Sequence, residues 1–319
     1  MTASDVLVSA SQDGAIDLAV EKILTGKLVV VPTETVYGLA ADATNVAAVQ
    51  KIYSAKGRPS FNPLICHVSS LEMASRLVDL PELAIKLAKR FWPGPLTLVC
   101  KARPDNGIAR EVTAGLSTLA VRCPANPNTR RMIAAADRPI AAPSANPSGK
   151  LSPTRARTVL EAMGTRVDLI LDDGPTNVGI ESTIVAVDAS GIALLRPGTI
   201  TVDEISDVTG APVKDRNSNT ITAPGQLASH YAPEAEVVLN QMERQEGKTL
   251  IGFGQMECDF NLSPSADLSE AAKNLFETLR LADKGLPIAV APIPNAGIGI
   301  AINDRLKRAA SDRPGESDD

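Results

Sequence analysis

A succession of short apolar runs, at residues 28–31, 64–68, 96–100, 119–122, 140–142, 167–171, 183–187 and 192–195, constrains this chain more than any other feature. Each run is too short for a helix and is bounded by proline, glycine or polar residues, which is the pattern of a short strand. Between several of them the apolar spacing turns helical. Ile16, Leu18, Val20, Ile23 and Leu24 stop at Gly26, and Val46, Val49, Ile52 and Tyr53 share one face behind Asn45, a residue suited to cap a helix. That second helix dissolves at Lys56-Gly57-Arg58-Pro59, where proline forbids continuation. Further helices are predicted over 81–91 and 129–136, and Ser152-Pro153 predicts another start, with serine as cap and proline at the first helical position. Strand and helix alternate without a fixed repeat, so the fold class expected is α/β, a mixed twisted sheet with helices.

From 215 to 229 the periodicity fails and polar residues, Pro224 and Gly225 replace it, which predicts a linker. A second series follows, with strands expected at 237–239, 249–253 and 288–291 and helices over 269–281 and after Gly297, which reads as a small α/β (Rossmann-like) domain. The boundaries expected are 1–214, 215–233 and 234–319, with an acidic tail from Ser311 expected to be disordered. An apolar fraction of 44% over 319 residues can supply real cores. No run has the length a bilayer span needs, and residues 1–11 lack the basic-then-apolar pattern of a secretory signal. Cys66, Cys100, Cys123 and Cys258 lie far apart, which argues against a disulfide framework or zinc site and favours reduced thiols in a cytoplasm. A net charge of −5 and an aromatic content of 3% disfavour stable binding of a nucleic-acid backbone or stacking of bases.

Chemistry-bearing residues gather at the ends of the expected elements. Lys56-Gly57-Arg58 sets two cations about a flexible glycine just past a helix, with Asn62 four residues beyond Arg58. Arginine offers a fork to phosphate or carboxylate, and lysine a mobile point charge. Arg58 is expected in a loop away from the core, so that its removal should leave the fold intact. The string APSANPSG at 142–149 supplies Ser144, Asn146 and Ser148 directly after a strand, where ligands of α/β sheets usually bind. Thr33, Glu34 and Thr35 follow a strand, His67 lies within an apolar run, Arg122 ends one, and Arg196 precedes Pro197-Gly198. Singly, a loop cation is more often solvated, a lone histidine more often structural and a Ser/Asn/Gly string more often an ordinary turn. Their joint placement at strand termini favours a small-molecule site.

The strings VPTETVYGLAADA, AKGRPSFNPL, WPGPLTL, AVRCP, APSANPSG and LRPG occur in the order, and at about the spacing, of the YrdC-like domain of threonylcarbamoyl-adenylate synthases. The resemblance covers roughly residues 12–210. PGQLASHYAP at 224–233 resembles the linker of the long, two-domain form, and Gly179-Ile180-Glu181-Ser182-Thr183 resembles its loop before a strand. The resemblance implies an ATP-dependent nucleotidyltransferase that converts L-threonine and bicarbonate or CO2 into threonylcarbamoyl-AMP and pyrophosphate, for threonylcarbamoyladenosine modification of tRNA. It implies that Lys56 and Arg58 hold phosphates with Mg2+, and that Thr35, His67, Arg122 and Ser182 form the threonine pocket, with Arg122 on the carboxylate. It implies nucleotide contacts from Arg58, Asn62, Thr118, Ser144, Asn146, Ser152, Arg196 and Tyr231, the last carried by a linker that closes as a lid. The partner implied downstream is the machinery that transfers threonylcarbamoyl to tRNA.

Two other readings share the same domain. An RNA-binding or ribosome-maturation module would need the basic, aromatic-rich surface that this composition disfavours. A carbamoyl-transfer module of the hydrogenase-maturation kind would carry a zinc-binding cysteine array, and no paired cysteines occur here.

Overall fold

The structure, a computed structural model, describes residues 6–215 and 231–311. The expected lid therefore lies outside the described residues except at 215 and 231–233, as does the expected disordered tail beyond Ser311.

The first unit begins with β1 (Leu7–Ser9), α1 (Ala15–Leu24), β2 (Val29–Val31) and β3 (Gly38–Asp42). Helix α1 buries Ala15, Ala19 and Ile23, a stripe at spacing four. Helix α2 (Val46–Lys56) starts as expected at Asn45, whose side chain accepts from the Ala48 N–H, a cap worth about 1 kcal/mol. Its end is set by Gly57 at φ 60°, a conformation that glycine adopts without strain, and Lys56 is thereby fixed at the last helical position. The chain continues through β4 (Ile65–His67), α3 (Leu71–Leu77), α4 (Glu82–Phe91), β5 (Leu96–Lys101), α5 (Arg110–Thr113), β6 (Thr118–Arg122), α6 (Pro127–Ala136) and β7 (Ile140–Ala141). It closes with α7 (Ala156–Met163), β8 (Leu169–Asp172), β9 (Thr183–Asp188), β10 (Gly191–Arg196), α8 (Val202–Thr209) and β11 (Val213–Asp215).

One expected element starts differently. Ser152 does not cap α7, whose N-cap is Arg155; the Ser152 hydroxyl instead donates to the Glu181 carboxylate at 2.5 Å. Helical geometry begins only at Ala156, past the reach of a cap at Ser152, and the hydroxyl proton goes to the buried carboxylate, a strong acceptor.

The eleven strands form one mixed sheet in the order β1-β8-β2-β3-β7-β4-β6-β5-β9-β10-β11. Register decides which side chains share a face. Ile65 lies opposite Ala120 and His67 opposite Arg122, Val99 lies opposite Ala120, and Ala186 opposite Val99. Period-two alternation therefore puts Thr118, Ala120 and Arg122 on the same side as Ile65 and His67. Between β9 and β10 the register slips by one residue, so Leu194 faces Val185 but Arg196 faces Ile184. This bulge brings Arg196 onto the face that carries His67 and Arg122. A small apolar cluster of Ile65, Val99, Ala120 and Ile184 covers the middle of that face, separate from the large core packed on the opposite side.

The second unit is a parallel sheet, β12 (Val237–Leu239), β13 (Thr249–Gly252), β14 (Phe260–Asn261) and β15 (Ile288–Val290) in the order β12-β15-β13-β14, with α9 (Leu268–Ala282) and α10 (Ile298–Ala309). Asp267 caps α9 through the Glu270 N–H, and Ala271, Ala272, Leu275, Phe276, Leu279 and Ala282 form its buried stripe. The core of this unit also takes in Val36, Leu151 and Ile180 of the first. Gly179 (φ +82°) lies directly against α9, where a Cβ atom would stand 2.4 Å from Lys273 Cα.

Gly179→Ala combines left-handed strain with a backbone clash, so it is expected to cost at least about 2 kcal/mol, read as a lowered midpoint in urea unfolding.

Candidate active site

The sheet face that carries His67 and Arg122 and the loops beside it enclose a small cleft lined by polar and charged side chains together with a few apolar ones. Thr35, Arg58, His67, Arg122, Ser144, Ser182, Arg196 and Tyr231 all line it, so most residues singled out in the sequence meet in one place. Lys56, Asn62, Thr118, Asn146 and Ser152 do not line it directly.

Arg122, at the end of β6, is 4% exposed. Its Nη2 donates to Glu34 at 2.6 Å, its Nη1 to Thr35 Oγ1 at 3.0 Å and its Nε to the Gly94 carbonyl at 3.2 Å. A guanidinium has five N–H groups, so two remain without a partner among the described residues, and Thr35 is held facing the same space. The turn that carries Thr35 is tied by Thr33, whose hydroxyl donates to the Val36 carbonyl at 2.6 Å. Ser182 precedes β9; its hydroxyl is 2.8 Å from that of Thr97 and accepts from Arg196 Nη2 at 3.2 Å. Arg196 also donates twice to the Ser182 carbonyl, at 3.1 and 3.0 Å. His67 is 3% exposed, and burial, with the neighbouring charge of Arg122, pulls its imidazole down to about 3. It is a neutral ring at pH 7.

Arg58 departs from expectation. It is 8% exposed, and its Nε and Nη2 donate to the carbonyls of Asn62 and Pro63 at 3.1 and 2.8 Å. It therefore holds the 58–63 turn together, and its removal should disturb local structure as well as binding. Burial pulls it down to about 10, which leaves it cationic at neutral pH, and no carboxylate pairs with it among the described residues. Lys56 is also buried; its ammonium donates to the Ser144 carbonyl at 2.6 Å and to that of Asn146. Burial pulls Lys56 well below its usual range, with the charge of Arg58 adding to the effect. Its place is beneath the 142–149 loop, which it braces from below.

Both side-chain polar atoms of Asn62, and Oδ1 of Asn146, are buried without a hydrogen-bond partner. Leaving such groups unpaired costs about 1–3 kcal/mol each, so these amides are poised for a ligand or an ordered water. Thr118 lies at the opposite end of β6 from Arg122 but on the same face, about 13 Å away along the strand. The apolar Ile65–Ala120 patch sits between them. Ser152 reaches the cleft through Glu181, which lines it.

Thr33, noted in the sequence beside Thr35, also lines the cleft; sequence reasoning did not single out Val36, Ile65 or Glu181 as lining residues, nor Glu34 as the partner of Arg122. For Glu34 a signal existed, a charged residue between two threonines after an all-valine strand. Tyr231 (φ 64°) is 1% exposed and packs on Phe276 of α9, with ring centroids 5.4 Å apart. No cluster of candidate metal ligands occurs among the described residues, and no helix there is long and apolar enough to cross a membrane.

An open sheet face roofed by a Ser/Asn/Gly loop and ringed by arginines, followed by a small parallel α/β unit, defines the two-domain class of Sua5/YciO/YrdC proteins. The family described as "Telomere recombination" (Sua5/YciO/YrdC) matches residues 21–198, and that described as "Threonylcarbamoyl-AMP synthase, C-terminal domain" matches 200–311. The chain belongs to the threonylcarbamoyl-AMP synthase family, in its two-domain form. It is 40% identical to the threonylcarbamoyl-AMP synthase of Pyrococcus abyssi, over 95% of this chain and 96% of that one, and 39% identical to that of Bacillus subtilis, over 95% of each. The crystal structure of P. abyssi Sua5 complexed with L-threonine superposes with a TM-score of 0.87 at 38% identity, covering 96% of this chain and 97% of that one. E. coli YciO, at 20% identity and a TM-score of 0.55 over 63% of this chain, shares the fold alone.

The pH dependence of stability tests the buried histidine. His67 is neutral in the folded protein down to about pH 3 but takes up a proton near pH 6.5 when unfolded. The unfolded state then binds more protons across that window, so stability falls as pH drops through it, by at most about 1.4 kcal/mol per pH unit from this residue. His67→Asn is expected to flatten the slope of unfolding free energy between pH 6 and 4 by that amount.

Proposed function

We propose that this cleft joins L-threonine, bicarbonate or CO2 and ATP into threonylcarbamoyl-AMP, releasing pyrophosphate. The observation that carries the reading is the convergence of Arg58, Arg122 and Arg196, all buried, on a cleft whose one lining carboxylate among the described residues, Glu181, is already engaged by Ser152 and Arg305. Such a site is short of anions, and a triphosphate together with an amino-acid carboxylate supplies them.

In this reading the two spare N–H groups of Arg122 take the threonine carboxylate, and Thr35, Ser182 and the neutral His67 surround its hydroxyl. Arg58, Arg196 and the 142–149 loop, held in place by Lys56, receive the phosphates. The nucleoside extends over the Ile65–Ala120 patch towards Thr118, and Asn62 and Asn146 acquire the partners they lack. The threonine amine takes up the one-carbon unit, and the resulting carbamate oxygen attacks the α-phosphate in line. That transfer needs alignment and charge neutralisation more than a protein nucleophile. The donor set does not form a protein-held magnesium site, because both oxygens of Glu181 are occupied; Mg2+ would arrive on the ATP phosphates, keeping several waters. We place the reaction in the cytoplasm, which the four free cysteines support, and we take the product to be passed to the machinery that transfers threonylcarbamoyl to tRNA.

Purified protein is expected to release pyrophosphate from ATP only when threonine and bicarbonate are both present, and release without either one would overturn the reading. Because a site that pairs a hydroxyl rejects an analogue lacking it, 2-aminobutyrate should compete far less well than serine. Arg122→Ala should lower kcat/KM for threonine by at least about a hundredfold, since it removes a charge-assisted pair and orphans Glu34.

A further inference from the structure

Arg305 belongs to α10 of the second unit, yet it is wholly buried and aimed at the cleft wall of the first. Its Nε donates to Glu181 Oε2 at 3.1 Å, its Nη1 to the Pro197 carbonyl at 2.6 Å and its Nη2 to the Glu181 carbonyl at 3.3 Å. Its guanidinium carbon stands 5.6 Å from the centroid of the Tyr231 ring. One side chain thus grips the two backbone segments that carry Ser182 and Arg196, each adjacent to a gripped residue, and packs on a third lining residue.

We propose that Arg305 is a positioning residue: it sets Ser182 and Arg196 for substrate and keeps Glu181 out of competition with it. The proposal rests on the synthase reading above. It gives the second unit a definite part in the reaction without any contact between that unit's helices and the substrate. The argument is electrostatic. Glu181 is 6% exposed, and without Arg305 its carboxylate would be left buried and uncompensated. The cations nearest at hand are those of the cleft, foremost Arg196, which already bonds the adjacent residue. A carboxylate turned towards Arg196 would occupy the charge meant for the ligand and pull Ser182 with it. Lysine cannot replace arginine here, because a single ammonium cannot span the carboxylate and two carbonyls.

The test compares Arg305→Met, Arg305→Lys, Glu181→Gln and the Arg305→Met/Glu181→Gln double variant by titration calorimetry with L-threonine and by pyrophosphate release, with thermal unfolding as a fold control. Wild-type pyrophosphate release, measured first, tests the synthase reading by itself. Arg305→Met is expected to weaken threonine binding about tenfold, Arg305→Lys by an intermediate amount, and the double variant to recover most of the loss, since neutralising Glu181 removes the competitor. A merely structural role would instead give a double variant as poor as Arg305→Met or worse, and that result would overturn the proposal, as would wild-type threonine affinity in folded Arg305→Met. Should Arg305→Met not fold, Arg305→Lys decides: weakened binding supports the proposal and wild-type binding ends it.

Discussion

Gathering three guanidinium groups around one desolvated cleft is the constraint to which the rest of this structure answers. An uncompensated buried charge costs several kcal/mol, and like charges brought together add to that. The chain offsets the cost locally and unevenly. Arg122 has a carboxylate, Glu34, and bonds from its other nitrogens. Arg58 is held by two carbonyls, which supply partial negative charge but do not neutralise a cation, and Arg196 bonds both the carbonyl and the hydroxyl of Ser182. Arg122 keeps two N–H groups, and Arg58 its positive charge, beyond what their partners among the described residues take up. Binding of anionic ligands is the natural completion of such an arrangement.

Much of the scaffold could be read from the sequence, because the apolar runs and the Asn45 cap are local signals with a local cause. What escaped was written in weaker signals. Strand β3, Gly-Leu-Ala-Ala-Asp, contains small residues with little strand preference, and it is a strand because it lies between β2 and β7 and is buried on both faces. Helices α3 and α8 are short, β1 takes its pairing from a distant partner, β8, and β11 is a three-residue strand added beside β10 across α8. Ser152 is a similar case: the helix begins later than the local signal suggests, and the hydroxyl donates to a carboxylate 29 residues away.

At the site, residue types with few structural uses were legible, such as the arginines and the lone histidine in an apolar run. Their counterparts were not. That Lys56 would point beneath the Ser144 loop, that Arg58 would be buried, and that Glu181 would be matched by a side chain 124 residues further on are facts of tertiary contact with no signature along the chain. Thr118 was found only through the family resemblance, and the register of β6 explains how so distant a residue can share a surface with Arg122.

The irregularity in β10 has a consequence for how this site can change. Were the strand perfectly regular, residues 192, 194 and 196 would point the same way, and Ile192 is part of the main core. The extra residue at 195 is what turns the guanidinium of Arg196 away from hydrocarbon and into the cleft. Phase along the strand, as much as residue type, is thus a component of the recognition surface. A one-residue shift of pairing that smoothed out the bulge would leave every cleft residue in the sequence and still dismantle the ring of charge, whereas many substitutions nearby would leave it standing.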